Sequence, residues 1–178
     1  MADHFVTAVE DPVNIEARGQ MALAAAFAGV GFGNAGVSLP HGMSYPVSGM
    51  VREYIAPDYI SEHPIIPHGI SVAINAPAVF RFTGSSNPKR HLEAAAALGA
   101  DTDGIDENEG GELLAATMIE YFKRFKIPNG LKDVGFSESD IPRLVEGTLP
   151  QHRVTKLSPR PAGPDELSGL FKDAMQYW

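Results

Sequence analysis

Two short segments of this 178-residue chain share one design: Leu39-Pro40-His41-Gly42-Met43-Ser44 and Ile66-Pro67-His68-Gly69-Ile70-Ser71. In each, a histidine follows a proline that restricts the backbone and precedes a glycine that lets another chain or a bound group come close. Such a setting holds an imidazole nitrogen at a fixed point. Neutral imidazole is the commonest metal ligand, and two of them with carboxylate suit Fe²⁺, Zn²⁺ or a similar divalent ion. The competing reading is a pair of turns with partly buried histidines. A single Pro-His-Gly is usually that; its repetition with matching apolar flanks brings the two readings level. The chain has no cysteine, which excludes a thiolate nucleophile, an iron–sulfur cluster and a disulfide scaffold. Any metal must therefore be held by histidine and carboxylate.

The elements that position these histidines read as helices. A first helix is expected from Asn14 to about Val30, where Pro12 and Asn14 precede Ile15, Leu23, Phe27 and Val30 among many alanines. So little side chain on any face predicts a central, buried helix, loosened by Gly29, Gly31, Gly33 and Gly36 into a turn before Pro40. Pro40 to Pro67, punctuated by Pro46, Gly49, Pro57 and Pro64, is expected as turns and short helical pieces. A second helix opens at Pro67-His68 and runs through Ile70, Ile74 and Ala78 toward Phe82, bent or shortened at Pro77. A third starts at Asn87-Pro88 and stops at Gly99. A fourth spans about Glu109 to Lys126, with Leu114, Met118, Tyr121, Phe122 and Phe125 on one stripe. A fifth starts near Ser139-Asp140, with Pro142 in its first turn, and ends at Gly147. A last one from Pro164 sets Leu167, Leu170, Phe171, Ala174 and Trp178 on one face. No stretch keeps a strand's period of two for long. The fold class expected is all-α, one domain over residues 1–178, with connections rich in proline and glycine.

Bulk composition narrows the function. Hydrophobic residues make up 44% of the chain, enough for a real core. Fourteen basic against 22 acidic residues give a formal charge of −8, which argues against nucleic acid, since phosphate binding draws on clustered Lys and Arg. The basic clusters, Lys89-Arg90-His91 and Lys123-Arg124 with Lys126, read as solvated helix faces. Met1-Ala2-Asp3-His4 does not read as a signal peptide. The run Met21 to Val37 is largely Ala and Gly and falls short of the ~20 strongly apolar residues of a membrane span. The expectation is a soluble, intracellular protein with no membrane partner.

The wider sequence resembles a known family. Gly31-Phe32-Gly33-Asn34-Ala35-Gly36, then His41-Gly42-Met43, then His63-Pro64-Ile65-Ile66-Pro67-His68-Gly69 are similar to the iron-containing (group III) alcohol dehydrogenases, most of all to their hydroxyacid-oxoacid transhydrogenase branch. The likeness runs from about Phe5 over nearly the whole chain. It takes in Glu16-Ala17-Arg18, the run from His91-Leu92-Glu93 to Gly99-Ala100-Asp101, Gly147-Thr148-Leu149-Pro150-Gln151 and Arg153-Val154-Thr155-Lys156-Leu157. The resemblance implies a helical, bundle-like domain of the dehydroquinate synthase-like kind. It implies one divalent ion, iron or else zinc, held by an Asp and three His, with His41 and His68 matching the last two histidines. The first two ligands, a D-x-x-x-H pair, and the α/β domain that binds NAD lie upstream in the family. No such pair aligns here, and Gly29 to Gly36 neither follow a predicted strand nor fit G-x-G-x-x-G.

Two departures from the common dehydrogenase pattern point to the transhydrogenase branch, in which the hydride of a hydroxyacid such as 4-hydroxybutyrate passes through bound cofactor to a 2-oxoacid. Where many members carry a second histidine four residues after the first ligand, this chain has Tyr45. The segment between the ligands is also longer, with Arg52, Tyr54, Asp58, Tyr59 and His63. Tyr45 can relay a proton or line the pocket; Arg52 can meet a substrate carboxylate or serve at a surface. His63 reads as a solvated turn, and His4, His91 and His152 as exposed. Two functions follow as expectations. One is the C-terminal part of a metal-dependent transhydrogenase, cytoplasmic or mitochondrial with its parent, inactive until joined by its N-terminal half. The other is a non-catalytic helical interaction module, whose apolar face around Leu23 and Phe27 favours self-association.

Overall fold

The computed structural model describes residues 2–57 and 59–178, and within them the chain is built from helices. In chain order they are α1 (Ala2–Glu10), α2 (Ile15–Ala35), α3 (Leu39–Met50), α4 (His68–Ala73), α5 (Ala76–Gly84), α6 (Pro88–Ala97), α7 (Gly110–Phe125), α8 (Ile141–Thr148), α9 (His152–Thr155) and α10 (Pro164–Asp173). Single 3₁₀ turns lie at Glu107–Glu109, Lys132–Val134 and Glu138–Asp140. Among the described residues, pairing of extended segments is limited to one bridge between Ile55 and Ile65. Among the described residues no single helix is long and apolar enough to cross a membrane.

Local chemistry accounts for most helix ends. The Asn14 side chain accepts from the Ala17 N–H at 3.0 Å and starts α2, while Asn87 accepts from Arg90 N at 3.2 Å and starts α6, with Pro88 in its first turn. Gly36, at φ 76°, stops α2, and its N–H reaches Phe32 O at 2.7 Å. The break between α4 and α5 falls at Ile74 and Asn75, just before Pro77.

The core is formed by α3, α5, α8 and α10. Leu39, Met43, Val47, Ile74, Val79, Leu144, Leu167 and Phe171 are essentially sealed from solvent. On the other side, α7 packs against α5 and α6. Buried Leu114 and Phe122 lie on the predicted stripe of α7, with Met118, Tyr121 and Phe125 half-buried.

Three expectations are corrected. First, α2 continues through Gly29, Gly31 and Gly33 and is neither central nor buried: of its residues only Ala17 is buried, and Leu23, Phe27 and Val30 are 51%, 68% and 64% exposed. Alanine and glycine carry too little apolar area to draw a helix into a core, and α2 packs chiefly against α1. Second, Leu39–Met50 is one continuous helix with Pro46 inside it. Proline costs that helix a hydrogen bond, but Pro46 is buried, and its ring fits where Gly147 has no side chain: a Cβ there would lie 2.7 Å from the Pro46 Cβ. Third, Trp178 lies beyond α10 and is 42% exposed. Tyr177 points inward instead, its hydroxyl donating to Ile74 O at 2.7 Å. Burial pushes the Tyr177 phenol far above its ordinary range.

Candidate metal centre

His41 sits in the first turn of α3 and His68 is the first residue of α4. Pro40 occupies the first helical turn before His41, and Pro67, at φ −53° and ψ 138°, delivers His68 from an extended approach. Because α3 and α4 pack together, the two imidazoles meet: their ring centroids are 5.4 Å apart, with planes inclined at 61°. The repeated serines complete the likeness. Ser44 Oγ donates to His41 O at 2.8 Å and Ser71 Oγ donates to His68 O at 2.8 Å, and both serines are fully buried.

The glycines that follow the histidines differ. A Cβ on Gly42 would lie 2.9 Å from the Thr155 side chain, so this glycine admits α9 against α3. Nothing lies within 4 Å of a Cβ on Gly69, which borders open space.

The pair opens onto an apolar cleft of about 990 Å³, walled by Phe32 and Gly36 of α2's end, Val72 of α4, Phe80 of α5, His91 of α6 and Met118 of α7. His41 is half-buried and His68 exposed. Burial, and then the neighbouring His68, hold the His41 imidazole below its ordinary value, which favours the neutral, lone-pair-bearing form. Among the described residues no third His, Cys, Asp or Glu joins them to make a metal-binding group. Two imidazoles this close suit a divalent cation whose remaining donors come from elsewhere.

The other sequence candidates separate. Tyr45 lies one turn after His41, where its hydroxyl accepts from Arg153 Nη2 at 3.1 Å and its ring lies 5.8 Å from the same guanidinium. Arg52 does not face the histidines: it pairs with the buried carboxylate of Asp140, which also accepts from Ser137 N at 2.9 Å. Burial works to raise the Asp140 carboxyl, but the Ser137 and Arg52 donors outweigh it and hold it below the usual carboxylate value. His63 is exposed in a turn closed by Ser61, and Asp58 lies outside the described residues.

His152 is exposed as expected, whereas His4 and His91 are half-buried. His91 was expected in solvent; instead its ring nitrogens sit 2.9 Å from Thr83 Oγ1 and 2.9 Å from Asn87 O, and its ring lies edge-on to Phe80. No spacing in the sequence marks this setting, because Thr83 comes from a different helix. The serine at the third position after each histidine, by contrast, is visible in both segments.

Comparisons with known proteins bear on the family and the fold. The profile of the Fe-containing alcohol dehydrogenase family, C-terminal, matches residues 1–175. The whole chain is 50% identical to the mitochondrial hydroxyacid-oxoacid transhydrogenase of Bos taurus and 52% identical to that of Xenopus laevis, in each case over 38% of the relative's length. The fold superposes on an alcohol dehydrogenase from Oenococcus oeni with a TM-score of 0.84 at 25% identity, covering 97% of this chain and 42% of that one. The chain thus spans about two fifths of the length of the proteins it matches.

Proposed function

We propose, for a chain that belongs to the Fe-containing alcohol dehydrogenase family and matches its C-terminal domain, that these residues form the helical half of a metal-dependent hydride-transfer site. The substrate class is a hydroxyacid such as 4-hydroxybutyrate, with a 2-oxoacid as hydride acceptor and NAD as the intermediary. Support for that class comes from the half-identical relatives that carry the transhydrogenase name and from Tyr45 beside His41. Their names also read mitochondrial, which favours that compartment over the cytoplasm.

The observation that carries the proposal is the meeting of His41 and His68 at 5.4 Å above an open cleft. These two side chains would hold the ion, Fe²⁺ or Zn²⁺, with an Asp, a third His and the NAD site supplied from outside these residues. The ion, when bound, supplies Lewis-acid polarisation of the substrate oxygen. This chain's residues do the rest of what falls to it. Ser44 and Ser71 fix the backbone of each ligand histidine. The apolar walls would shield the reacting carbon from water once the N-terminal half covers the cleft. The Tyr45 hydroxyl, one turn from His41, would accept or pass on the alcohol's proton.

Titration of the full chain with Zn²⁺ or Co²⁺, followed by calorimetry or absorption, tests the ligands. His41→Ala and His68→Ala should each weaken binding by at least about tenfold, the lower end of what losing even an outer-shell partner costs. Unchanged affinity in both variants would remove the site. Turnover of 4-hydroxybutyrate with 2-oxoglutarate should appear only when an N-terminal α/β portion is supplied; robust turnover by the 178 residues alone would overturn the divided site.

One observation favours a second reading, a helical interaction module without catalysis: the exposed apolar side chains of α2. That reading predicts partner binding that survives His41→Ala with His68→Ala.

A further inference from the structure

We infer that Arg153 recognises the carboxylate of a hydroxyacid whose hydroxyl lies at the histidine pair; the inference rests on the hydroxyacid reading given above. Such a substrate has two handles. Its hydroxyl reacts, and its carboxylate must find a partner as it leaves water. A guanidinium answers that need best, because its planar fork of N–H donors matches two carboxylate oxygens.

Of the seven other arginines, Arg18 on α2 and Arg143 on α8 are exposed, with no ion pair among the described residues and no link to the histidine pair, and five are engaged. Arg52 is tied to Asp140, Arg81 to Glu112 at 2.6 Å, and Arg124 to Glu10 at 2.6 Å. Arg90, at the cleft, pairs with Glu93 at 2.8 Å. Arg160 donates to Phe82 O at 2.6 Å and lies 4.0 Å above the Phe82 ring. Arg153 differs from these. It is exposed, and its side chain is held by the hydroxyl and the ring face of Tyr45, both neutral. Among the described residues no carboxylate lies within ion-pair distance of it. Its charge is aimed but not spent. Lys156, three residues on, borders a separate hollow with His152 and Thr155.

The spacing fits a short substrate. Tyr45 follows His41 by four residues on α3, which puts the two side chains on one face about 6 Å apart along the axis. In an extended four-carbon hydroxyacid the hydroxyl oxygen and the carboxyl carbon are roughly 5 Å apart, from bonds of about 1.5 Å. A molecule of that length matches the spacing from His41 to Tyr45, whose hydroxyl holds the Arg153 guanidinium. On this inference the carboxylate partner is Arg153 and not Arg52, for which the sequence left a carboxylate contact and a surface role open and which is tied to Asp140.

The test is an NMR titration of the full, isotope-labelled chain with 4-hydroxybutyrate, with butane-1,4-diol as its neutral counterpart, and with inorganic phosphate. The Arg153 Nε–H and the Tyr45 signals should shift saturably with the hydroxyacid and not with the diol. Arg153→Gln should raise the dissociation constant at least tenfold. Arg153→Lys should recover part of the loss, since it keeps the charge without the fork. Spectra unchanged away from α3 and α9 show that each variant is folded.

Equal response to the diol, unchanged binding by Arg153→Gln, or no saturable response would overturn the assignment. So would tighter Arg153-dependent binding of phosphate than of carboxylate, which would assign the residue to a cofactor phosphate. Failure of the metal reading is separable. If the chain binds no Zn²⁺ yet Arg153 still discriminates the hydroxyacid from the diol, the metal site falls and this inference stands.

Discussion

His41 and His68 lie in matching segments but in unequal surroundings: His41 is half-buried in the first turn of α3, and His68 is exposed. Burial and the nearby His68 both penalise the imidazolium at His41, so its folded-state pKa lies below the value it has in the unfolded chain. Folding therefore releases a proton between the two values. The contribution of His41 to stability is complete above the ordinary imidazole pKa, falls as pH drops below it, and is gone once pH passes the lower folded value. Metal affinity should fall over the same window, since the ligand form is neutral. An imidazole NMR titration should find His41 below the usual range, and His68→Ala should bring it partway back by removing the charged neighbour. A titration at or above the ordinary value would contradict this account. At this scale the paired Pro-His-Gly-x-Ser pattern was legible because its bonds are local. The half-buried setting of His91 was not, because Thr83 meets it across two helices.

Elements pack most closely where α5 and α7 cross. A Cβ on Gly111 would lie 2.8 Å from Gly84 Cα and 2.8 Å from Phe80 O, distances that only backbone movement can relieve. Gly111→Ala should therefore destabilise the protein by roughly 1–3 kcal/mol, an overpacking cost set against the ~1 kcal/mol that alanine normally gains over glycine in a helix. Gly19→Ala in α2, where nothing lies within 4 Å, should stabilise by roughly 0.4–1 kcal/mol. Urea unfolding of the two variants checks the pair, and a shift in the same direction for both would refute the close-approach argument. The start of α6 was readable from Asn87 and Pro88 and its stop from Gly99. The unbroken course of α3 was not, since Pro46 is tolerated only because Gly147, a hundred residues on, leaves room for it.

For the molecule as a whole, α2 is an unfinished surface. Leu23, Phe27 and Val30 recur on one side of it and are all more than half exposed, an apolar stripe of the kind that seeks a partner. The chain should self-associate with rising concentration in sedimentation velocity runs. Phe27→Glu should reduce that association while changing unfolding by no more than about 0.5 kcal/mol, as expected of an exposed position. A well-behaved monomer at all concentrations would count against the surface having this role. The sequence of α2 fits both a buried centre and, with no α/β domain against it, an exposed apolar face. Only the packing decides between them.

What the sequence determined by itself was local or cumulative: helix ends set by residues within a turn of one another, the two histidines with their flanking proline and glycine, and family membership spread over nearly every segment. What tertiary structure decided depends on the path of the chain. The histidines are 5.4 Å apart because α3 packs on α4. Arg52 is tied to Asp140 across 88 positions, and Arg153 is held by Tyr45 across 108. A hydrogen bond between residues so distant leaves no spacing to read, because its geometry exists only after the intervening helices have packed.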